Sequence, residues 1–166
     1  MHPLRGSNPV NGYAVFYEDG SATSMFPRNK GRSRTQWDVQ LTTLDCWVQR
    51  HGITEVALVK IDVEGAEMAL LRGAERLIRQ ARPMLLVELN PKSQARAGYT
   101  CDALFSLIEG LAYRAILLRG GRLFPVKRYY SPEETKTFAS DVHKERCRYD
   151  NYLFVPVENG GFGQVE

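Results

Sequence analysis

Carboxylate side chains are concentrated in two short segments near the middle of the chain. Asp62, Glu64 and Glu67 follow one another closely in the first segment. Glu88 lies in the second, which is otherwise apolar. Grouped acids can act as general bases, attract a cationic ligand or coordinate a hard cation such as Mg²⁺. Crowding also raises the pKa of a carboxyl group toward the range that suits a base. The chemistry therefore depends on whether the two segments meet in the fold.

The two segments read as the strands of one βαβ unit. Residues 56–63 are a mostly apolar, β-branched run, and helical spacing of apolar residues begins at Ala66. Arg82-Pro83 predicts the end of that helix, and residues 84–89 form a second apolar run of strand length. Parallel strands bring their carboxyl ends to one edge of the sheet, where ligands bind in open α/β sheets. We therefore expect the acids at a common edge.

The positions of the acids in these elements indicate which of them need a functional explanation. If the first strand continues to residue 64, Lys60, Asp62 and Glu64 share a face. Acids in the first turn of a helix complement its dipole, which explains Glu64 and Glu67 without any function. Asp62 and Glu88 are harder to explain, because buried parallel strands are mostly apolar and an unpaired buried charge is costly. Asp62, Glu64 and Glu88 are the candidate catalytic residues, and Asp62 is the first candidate for a general base.

The segment KIDVEGAE at residues 60–67 resembles the signature of the FkbM-type methyltransferases, which are Rossmann-like enzymes that use S-adenosylmethionine. Leu71, Gly73 and Ala74, and then Pro83 with Leu86-Val87-Glu88, continue the resemblance. The upstream segment TLD at residues 43–45 is similar to a segment of the family, and NYLFVP at residues 151–156 is similar to its closing strand.

This resemblance implies a fold and an activity. The fold would be α/β with a Rossmann-like mixed sheet of the class I methyltransferase type and a C-terminal antiparallel hairpin at residues 113–126. The activity would be S-adenosylmethionine-dependent methyl transfer, most simply to an oxygen of a small-molecule or glycan acceptor whose identity stays open. Asp62, Gly65 and Asp45 would lie at the cofactor.

The upstream part of the chain departs from the family pattern. No glycine-rich turn followed by a helix precedes residue 56. The resemblance therefore implies a single domain over residues 1–166 that covers only the C-terminal part of the family domain and is truncated on its N-terminal side. The strand at residues 56–63 would then be an exposed edge, which can pair with a partner chain or a second copy.

Two other functions remain open at this point. The chain can be a catalytically silent remnant that acts as an interaction module or needs a partner chain, as the absent glycine turn and the open edge suggest. Alternatively, Asp62, Glu64 and Glu88 can form a metal-dependent carboxylate site.

Composition narrows the class of protein. The chain has 166 residues, 43% hydrophobic and 25% charged, with a formal net charge of +3. These values fit one globular domain, and the net charge is well short of that of a dedicated nucleic-acid binder. Three separated cysteines without a CxxC pair argue against a zinc site and a disulfide framework and fit a reducing compartment. Without a signal peptide or a long apolar run, we expect a cytoplasmic protein with neither membrane nor nucleic-acid partners.

The remaining elements follow from local patterns. The basic tract of Arg28, Lys30, Arg32 and Arg34 is interpreted as a solvated loop rather than an anion-binding surface. The other predictions are an arm at 1–12, a strand at 13–17, a loop at 21–27, a strand at 37–41, a helix at 44–51 capped by Thr42 or Thr43, a loop at 92–99, a helix at 101–111, helical tendency at 131–143, a strand at 151–157 and a frayed tail at 158–166.

Overall fold

The computed structural model of the chain describes residues 11–19, 22–26, 35–135 and 150–157. The strands in these residues are β1 (Asn11–Asp19), β2 (Ala22–Ser24), β3 (Thr35–Thr42), β4 (Leu58–Ile61), β5 (Met84–Leu89), β6 (Tyr113–Arg119), β7 (Arg122–Val126) and β8 (Asp150–Pro156). The helices are α1 (Leu44–Arg50), α2 (Glu67–Arg72), α3 (Glu75–Ala81), α4 (Pro91–Ala97), α5 (Cys101–Glu109) and α6 (Pro132–Thr135).

Five of the strands form a mixed sheet in the spatial order β4-β5-β8-β6-β7. β4 and β5 run parallel, with Ile61 opposite Val87, as the predicted βαβ unit requires. The other pairs in this sheet are antiparallel, and β6 and β7 form the predicted hairpin. The α/β fold with a Rossmann-like mixed sheet is therefore confirmed.

One face of this sheet forms the hydrophobic core. Residues of β5 and β8 are buried at every second position, because successive strand side chains point to opposite faces. The core contains Ile61, Leu85, Val87, Leu89, Leu117, Tyr152 and Phe154 from the strands and Leu71, Ile78, Leu104, Phe105 and Ile108 from α2, α3 and α5. Each such side chain stabilises the fold by roughly 1.5–3 kcal/mol. The alternate residues, which include Glu88 and Asn151, lie on a face that is only partly buried.

The ends of the central unit differ in how well they follow the sequence prediction. β4 begins later than predicted and ends at Ile61, so the strand does not reach residue 64. β5 has the predicted bounds. The helical segment ends as predicted, since Arg82 adopts a left-handed φ of 50° before Pro83.

The single helix predicted between these strands is wrong, because α2 and α3 are interrupted at Gly73 and Ala74. The interruption comes from contacts with the start of α1. The carbonyl oxygen of Gly73 accepts a hydrogen bond from the backbone N–H of Asp45 at 2.9 Å. A Cβ at Gly73 would also lie 3.2 Å from the side chain of Thr43. A tertiary contact, rather than local propensity, divides the helix.

β1, β2 and β3 form a separate antiparallel sheet with the order β2-β1-β3. The strands predicted at 13–17 and 37–41 are confirmed and are longer than expected. The loop predicted at 21–27 is wrong where β2 lies. β2 pairs antiparallel with β1, with Thr23 opposite Glu18, and the polar composition of this segment did not indicate the pairing.

α4 occupies most of the segment predicted as a loop at 92–99. Asn90 caps this helix, because its Oδ1 accepts the backbone N–H groups of Lys92 at 3.2 Å and Ser93 at 3.4 Å. The proline that follows Asn90 suits the first turn, and Gly98 ends the helix with a φ of 89°. The loop prediction is wrong because the capping pattern outweighs the polar composition.

The other predicted elements agree with the structure where it describes them. Thr43 caps α1 by accepting the N–H of Cys46 at 3.2 Å. The helix predicted at 101–111 and the strand at 151–157 differ from α5 and β8 only at their ends. α6 agrees with the helical tendency predicted at 131–143 as far as residue 135, and residues 136–143 lie outside the described residues. Residues 1–10, the tail at 158–166 and the basic tract of Arg28, Lys30, Arg32 and Arg34 lie outside the described residues.

β4 lies at an edge of the five-stranded sheet. Among the described strands it pairs only with β5, so the exposed edge is confirmed. Pairing of this edge with a second copy or a partner chain stays a prediction. None of the helices in the described ranges has the length and hydrophobicity to cross a bilayer. The cytoplasmic location and the absence of nucleic-acid and membrane partners stay predictions.

Candidate active site

The carboxyl ends of β4 and β5 form the rim at which the predicted acids lie. Asp62 directly follows β4, and Glu88 is the last residue but one of β5. Ile61 is in register with Val87, so the two acids that come next lie side by side on one face. On the other side of β5, Asn151 of β8 lies opposite Glu88. The structure thus brings Asp62 and Glu88 to a common edge.

Glu88 is half-buried on the partly exposed face of the sheet. Burial raises the pKa of its carboxyl from 4.5 to about 7. The negative charges of Asp62, Glu64 and Glu67 contribute to this rise in pKa, in that order, and Lys60 opposes it. A carboxyl with a pKa near neutrality can accept and return a proton, as a general base must. The prediction of Asp62 as the base stays a prediction, and its raised pKa makes Glu88 a candidate for the same role.

Asp62 is partly exposed to solvent. Its side chain is 36% exposed, and its Oδ2 accepts a hydrogen bond from Nζ of Lys60 at 3.0 Å. An ion pair of this exposed kind stabilises a fold by only about 0–1 kcal/mol. A ligand can therefore displace Lys60 at little energetic cost. Asp62 is therefore open to contact with a bound ligand.

Residues 62–67, which we call the acidic turn, lead from β4 into α2. Glu64 has a left-handed φ of 51°, and its Oε2 accepts a hydrogen bond from Oγ of Ser93 at 2.7 Å. The guanidinium of Arg96 lies 3.9 Å from the same oxygen. The predicted strand face is therefore wrong for Glu64, because β4 ends too early. Its charge nevertheless acts on Glu88.

Gly65 is required by the geometry of the acidic turn. Its φ of 105° is rare for residues with a side chain, and a Cβ would lie 2.8 Å from the carbonyl oxygen of Ser93 and 3.0 Å from the ring of Phe26. Its N–H donates to Oε1 of Glu67 at 3.0 Å, and its carbonyl accepts from the hydroxyl of Tyr99 at 3.1 Å. Gly65 therefore shapes the turn, and its contact with a cofactor stays a prediction.

Glu67 is the buried acid of the acidic turn, with an exposure of 2%. Its Oε2 accepts a hydrogen bond from the hydroxyl of Tyr99 at 2.5 Å. Each carboxylate oxygen thus has a donor, as a buried charge requires. A helix-dipole contact holds equally well at the surface, so it does not account for this burial. Glu67 therefore stabilises the acidic turn from its buried side.

A comparison with protein families bears on the identity of this site. The methyltransferase FkbM domain matches residues 5–115. The chain belongs to this family. The match includes the acidic turn and Glu88 and ends before residues 151–156, whose resemblance to the closing strand stays a prediction. No curated protein and no solved structure matches the chain.

Asp45, for which the FkbM resemblance implied a cofactor contact, has a structural role. Its Oδ1 and Oδ2 accept the backbone N–H groups of Leu77 at 2.8 Å and Arg76 at 3.0 Å. These amides begin α3, whose own N-cap residue, Ala74, provides no side-chain acceptor. Asp45 also lines an open groove of about 460 Å³ against α2 and α3, which contains none of the acids of the rim. A cofactor contact by Asp45 stays a prediction.

The residues of the rim suit the cofactor of FkbM enzymes better than they suit a metal ion. In the part of the chain that the structure describes, no group of three or more His, Cys, Asp or Glu residues could hold a metal ion. The metal-dependent alternative is therefore not supported. S-adenosylmethionine carries positive charge and hydroxyl groups, and carboxylates attract the first and accept hydrogen bonds from the second. The partly exposed carboxylate of Asp62 fits this cofactor.

Three side chains near the rim of the FkbM domain were not predicted from the sequence. Asn151 lies beside Glu88, while Ser93 and Tyr99 reach the acidic turn from α4 and the residues after it. The capping pattern at the start of α4 could have placed Ser93. No local pattern indicates Tyr99, because its partner Glu67 lies 32 residues away in the chain.

Proposed function

We propose that the chain acts as an S-adenosylmethionine-dependent methyltransferase that methylates a hydroxyl oxygen of a small-molecule or glycan acceptor. Membership of the FkbM family supports methyl transfer. The observation that carries the choice of an oxygen acceptor is the carboxyl of Glu88, which has a pKa of about 7 at the rim of the sheet. A hydroxyl must lose its proton when it is methylated, whereas a neutral amine can attack without a base.

The proposed step begins with the acceptor hydroxyl hydrogen-bonded to the carboxylate of Glu88. Bound S-adenosylmethionine supplies a methyl group on a positively charged sulfur. Glu88 takes the hydroxyl proton as the new oxygen–carbon bond forms and the carbon–sulfur bond breaks, which leaves a methyl ether and a neutral thioether. In-line alignment of the reacting atoms supplies much of the rate in such a transfer.

The other acids have supporting roles in this proposal. Asp62 orients the cofactor or the acceptor by accepting hydrogen bonds from hydroxyl groups. Glu64 keeps the rim negative and so favours a positively charged cofactor. Gly65 and Asp45 are proposed at the cofactor only by the family resemblance.

Calorimetric titration with S-adenosylmethionine tests cofactor binding by the chain. We expect a dissociation constant of roughly 1 mM or tighter. Asp62→Asn should weaken binding, because it removes a negative charge at the rim. Asp38→Asn is the matched control, since it removes an acid from the exposed strand β3. The absence of binding by the wild-type chain at millimolar cofactor would contradict the proposal.

Turnover of Glu88→Gln tests the base. Once an acceptor hydroxyl is found, the variant should lower kcat by about 10²–10⁴-fold while it retains cofactor binding. Wild-type kcat should rise with pH through about 7, because the carboxylate form is the active one. This rise should be absent in Glu88→Gln. An unchanged kcat would show that another group takes the proton.

The alternative of a silent interaction module is supported by one observation, the unpaired edge of β4 among the described strands. Edge strands can pair with another chain through their backbone groups. Sedimentation of the chain alone distinguishes the cases when combined with the binding titration. Self-association without cofactor binding would favour the module.

A further inference from the structure

The acidic turn is held by buried and partly buried hydrogen bonds that the proposed reaction does not use directly. Oε1 of Glu67 accepts the N–H of Gly65 at 3.0 Å, and Oε2 accepts the hydroxyl of Tyr99 at 2.5 Å. The same hydroxyl lies 3.1 Å from the carbonyl oxygen of Gly65. Burial, together with the bond to Glu67, raises the pKa of Tyr99 well above its ordinary value of 10. Tyr99 therefore remains a hydrogen-bond donor throughout the neutral range.

The backbone of the acidic turn needs such support. Glu64 has a φ of 51° and Gly65 a φ of 105°. A residue with a side chain stays in the left-handed region only where its surroundings hold it there. Ser93 adds a second contact from α4, because its Oγ donates to Oε2 of Glu64 at 2.7 Å. Ser24 adds a third contact, because its Oγ donates to the backbone carbonyl oxygen of Glu64 at 2.9 Å. The conformation of the turn is therefore set by the side chains packed against it, and among these the partly buried Tyr99 contacts both Gly65 and Glu67.

The position of this turn decides how much negative charge Glu88 meets. β8 presents the uncharged Asn151 beside it. The charges that act on the pKa of Glu88 come from β4 and the acidic turn, and they belong to Asp62, Glu64, Glu67 and Lys60. Three of these four are negative, and all three lie in the turn. A displacement of the turn would carry the acids away from Glu88 together.

We propose that Tyr99 is a positioning residue: its hydroxyl, acting through Glu67, holds the acidic turn against Glu88. Tyr99 acts on the proton held by Glu88 and not on the reacting atoms. The catalytic meaning of this role rests on the proposed function, but the effect on the turn and on Glu88 does not.

The test is a carboxyl ¹³C NMR titration of Glu88 in the whole chain, with the resonance assigned by its loss in Glu88→Gln. Tyr99→Phe removes the hydroxyl and keeps the ring. We expect the titration midpoint of Glu88 to fall by about 0.5–1 pH unit from its wild-type value, since acids within a few ångströms shift a carboxyl by that order. The Gly65 amide should also exchange its proton faster in this variant.

Tyr113→Phe is the matched control. Tyr113 is 3% exposed, and its hydroxyl donates to the carbonyl oxygen of Pro83 at 2.9 Å, at the amino end of β5. The control thus loses one buried tyrosine hydrogen bond to a backbone carbonyl in the same sheet but leaves the acidic turn alone. We expect its Glu88 midpoint to equal that of the wild type.

An unchanged Glu88 midpoint in Tyr99→Phe overturns the proposal, and so does an equal fall in Tyr113→Phe. If Tyr99→Phe does not fold, Ser93→Ala gives the decision, because it removes a hydrogen bond that the acidic turn receives from a different side chain. A lower midpoint in Ser93→Ala supports control of Glu88 by the turn, and an unchanged one overturns it. Failure to bind S-adenosylmethionine is a separate result, which would contradict the proposed function and leave this titration valid.

Discussion

Glu88 and Asp150 lie at the same rim of the five-stranded sheet, on the neighbouring strands β5 and β8, yet their surroundings are opposite. Asp150 is 5% exposed, and its carboxylate accepts hydrogen bonds from the guanidinium of Arg119 and from Oγ1 of Thr135 at 2.8 Å. Glu88 is half-buried and is surrounded mainly by other acids. No lysine or arginine of the described residues forms an ion pair with it.

The two faces of the sheet explain this difference. Asp150 is in register with Leu89 of the core, whereas Glu88 is in register with Asn151 on the partly exposed face. A charge on the core side must be paired, because burial without a partner is costly. On the open side, water reduces that cost, and an unpaired acid survives with a raised pKa. Such an acid stabilises nothing, so its presence is better explained by function than by folding.

The largest effect on stability should come from breaking the paired site. Arg119→Met leaves Asp150 buried without its cation and should lower the free energy of unfolding by about 3 kcal/mol. Arg79→Met is the control, because it breaks an exposed pair with Glu75 and should cost less than about 1 kcal/mol. Urea denaturation measures both. Equal losses would mean that burial does not distinguish the two pairs.

A smaller effect should come from the turn that brings acids to Glu88. Gly65→Ala should lower the free energy of unfolding by about 2 kcal/mol, because the alanine meets both an unfavourable φ of 105° and the backbone of Ser93. Gly121→Ala, at a φ of 71° with nothing within 4 Å, should cost about 1 kcal/mol from backbone strain alone. Thermal denaturation compares them. If Gly65→Ala cost no more than Gly121→Ala, α4 would not constrain the turn.

The smallest effect should come from Glu88→Gln, which removes the unpaired acid and should increase the free energy of unfolding. The pKa of Glu88 is about 7 in the folded state and about 4.5 when unfolded, so the folded state binds the proton more tightly between these values. The contribution of Glu88 to the free energy of unfolding therefore falls as pH rises from 4.5 to 7 and is constant above 7. Glu88→Gln removes that fall. After allowance for solvent screening at a half-buried group, we expect a gain on the order of 1 kcal/mol above pH 7 and none below 4.5.

Asp150→Asn should change the free energy of unfolding in the opposite direction to Glu88→Gln. It weakens the contact with Arg119 and should destabilise the chain at neutral pH. Urea denaturation at pH 5 and pH 8 compares the two variants. Destabilisation by Glu88→Gln at pH 8 would show that its carboxylate is a structural group like that of Asp150.

The meeting of Asp62 and Glu88 could be predicted because it depends only on strand direction. Two apolar runs joined by a helical segment must be parallel neighbours, and parallel neighbours end at one edge. The role of Asp45 could not be predicted in this way. Its carboxylate caps α3 across 32 residues of chain, so the break in the predicted helix follows from a contact that no local pattern reveals.

The assignment of the base also needed the structure. The sequence shows which acids are close together but not which of them is buried, and burial makes the largest contribution to the raised pKa of Glu88. The strands β1 and β3 were predicted, but β2 and the pairing of the three strands in a separate sheet were not. β2 has only three residues, which is too short to show the alternation that marks a strand.

The most direct test of the account is the carboxyl ¹³C titration of Glu88 in the wild-type chain. We predict a midpoint of about 7 for Glu88, because its side chain is half-buried among Asp62, Glu64 and Glu67. A midpoint near the ordinary value of 4.5 would contradict it, since Glu88 would then be an open surface acid with no special suitability as a base.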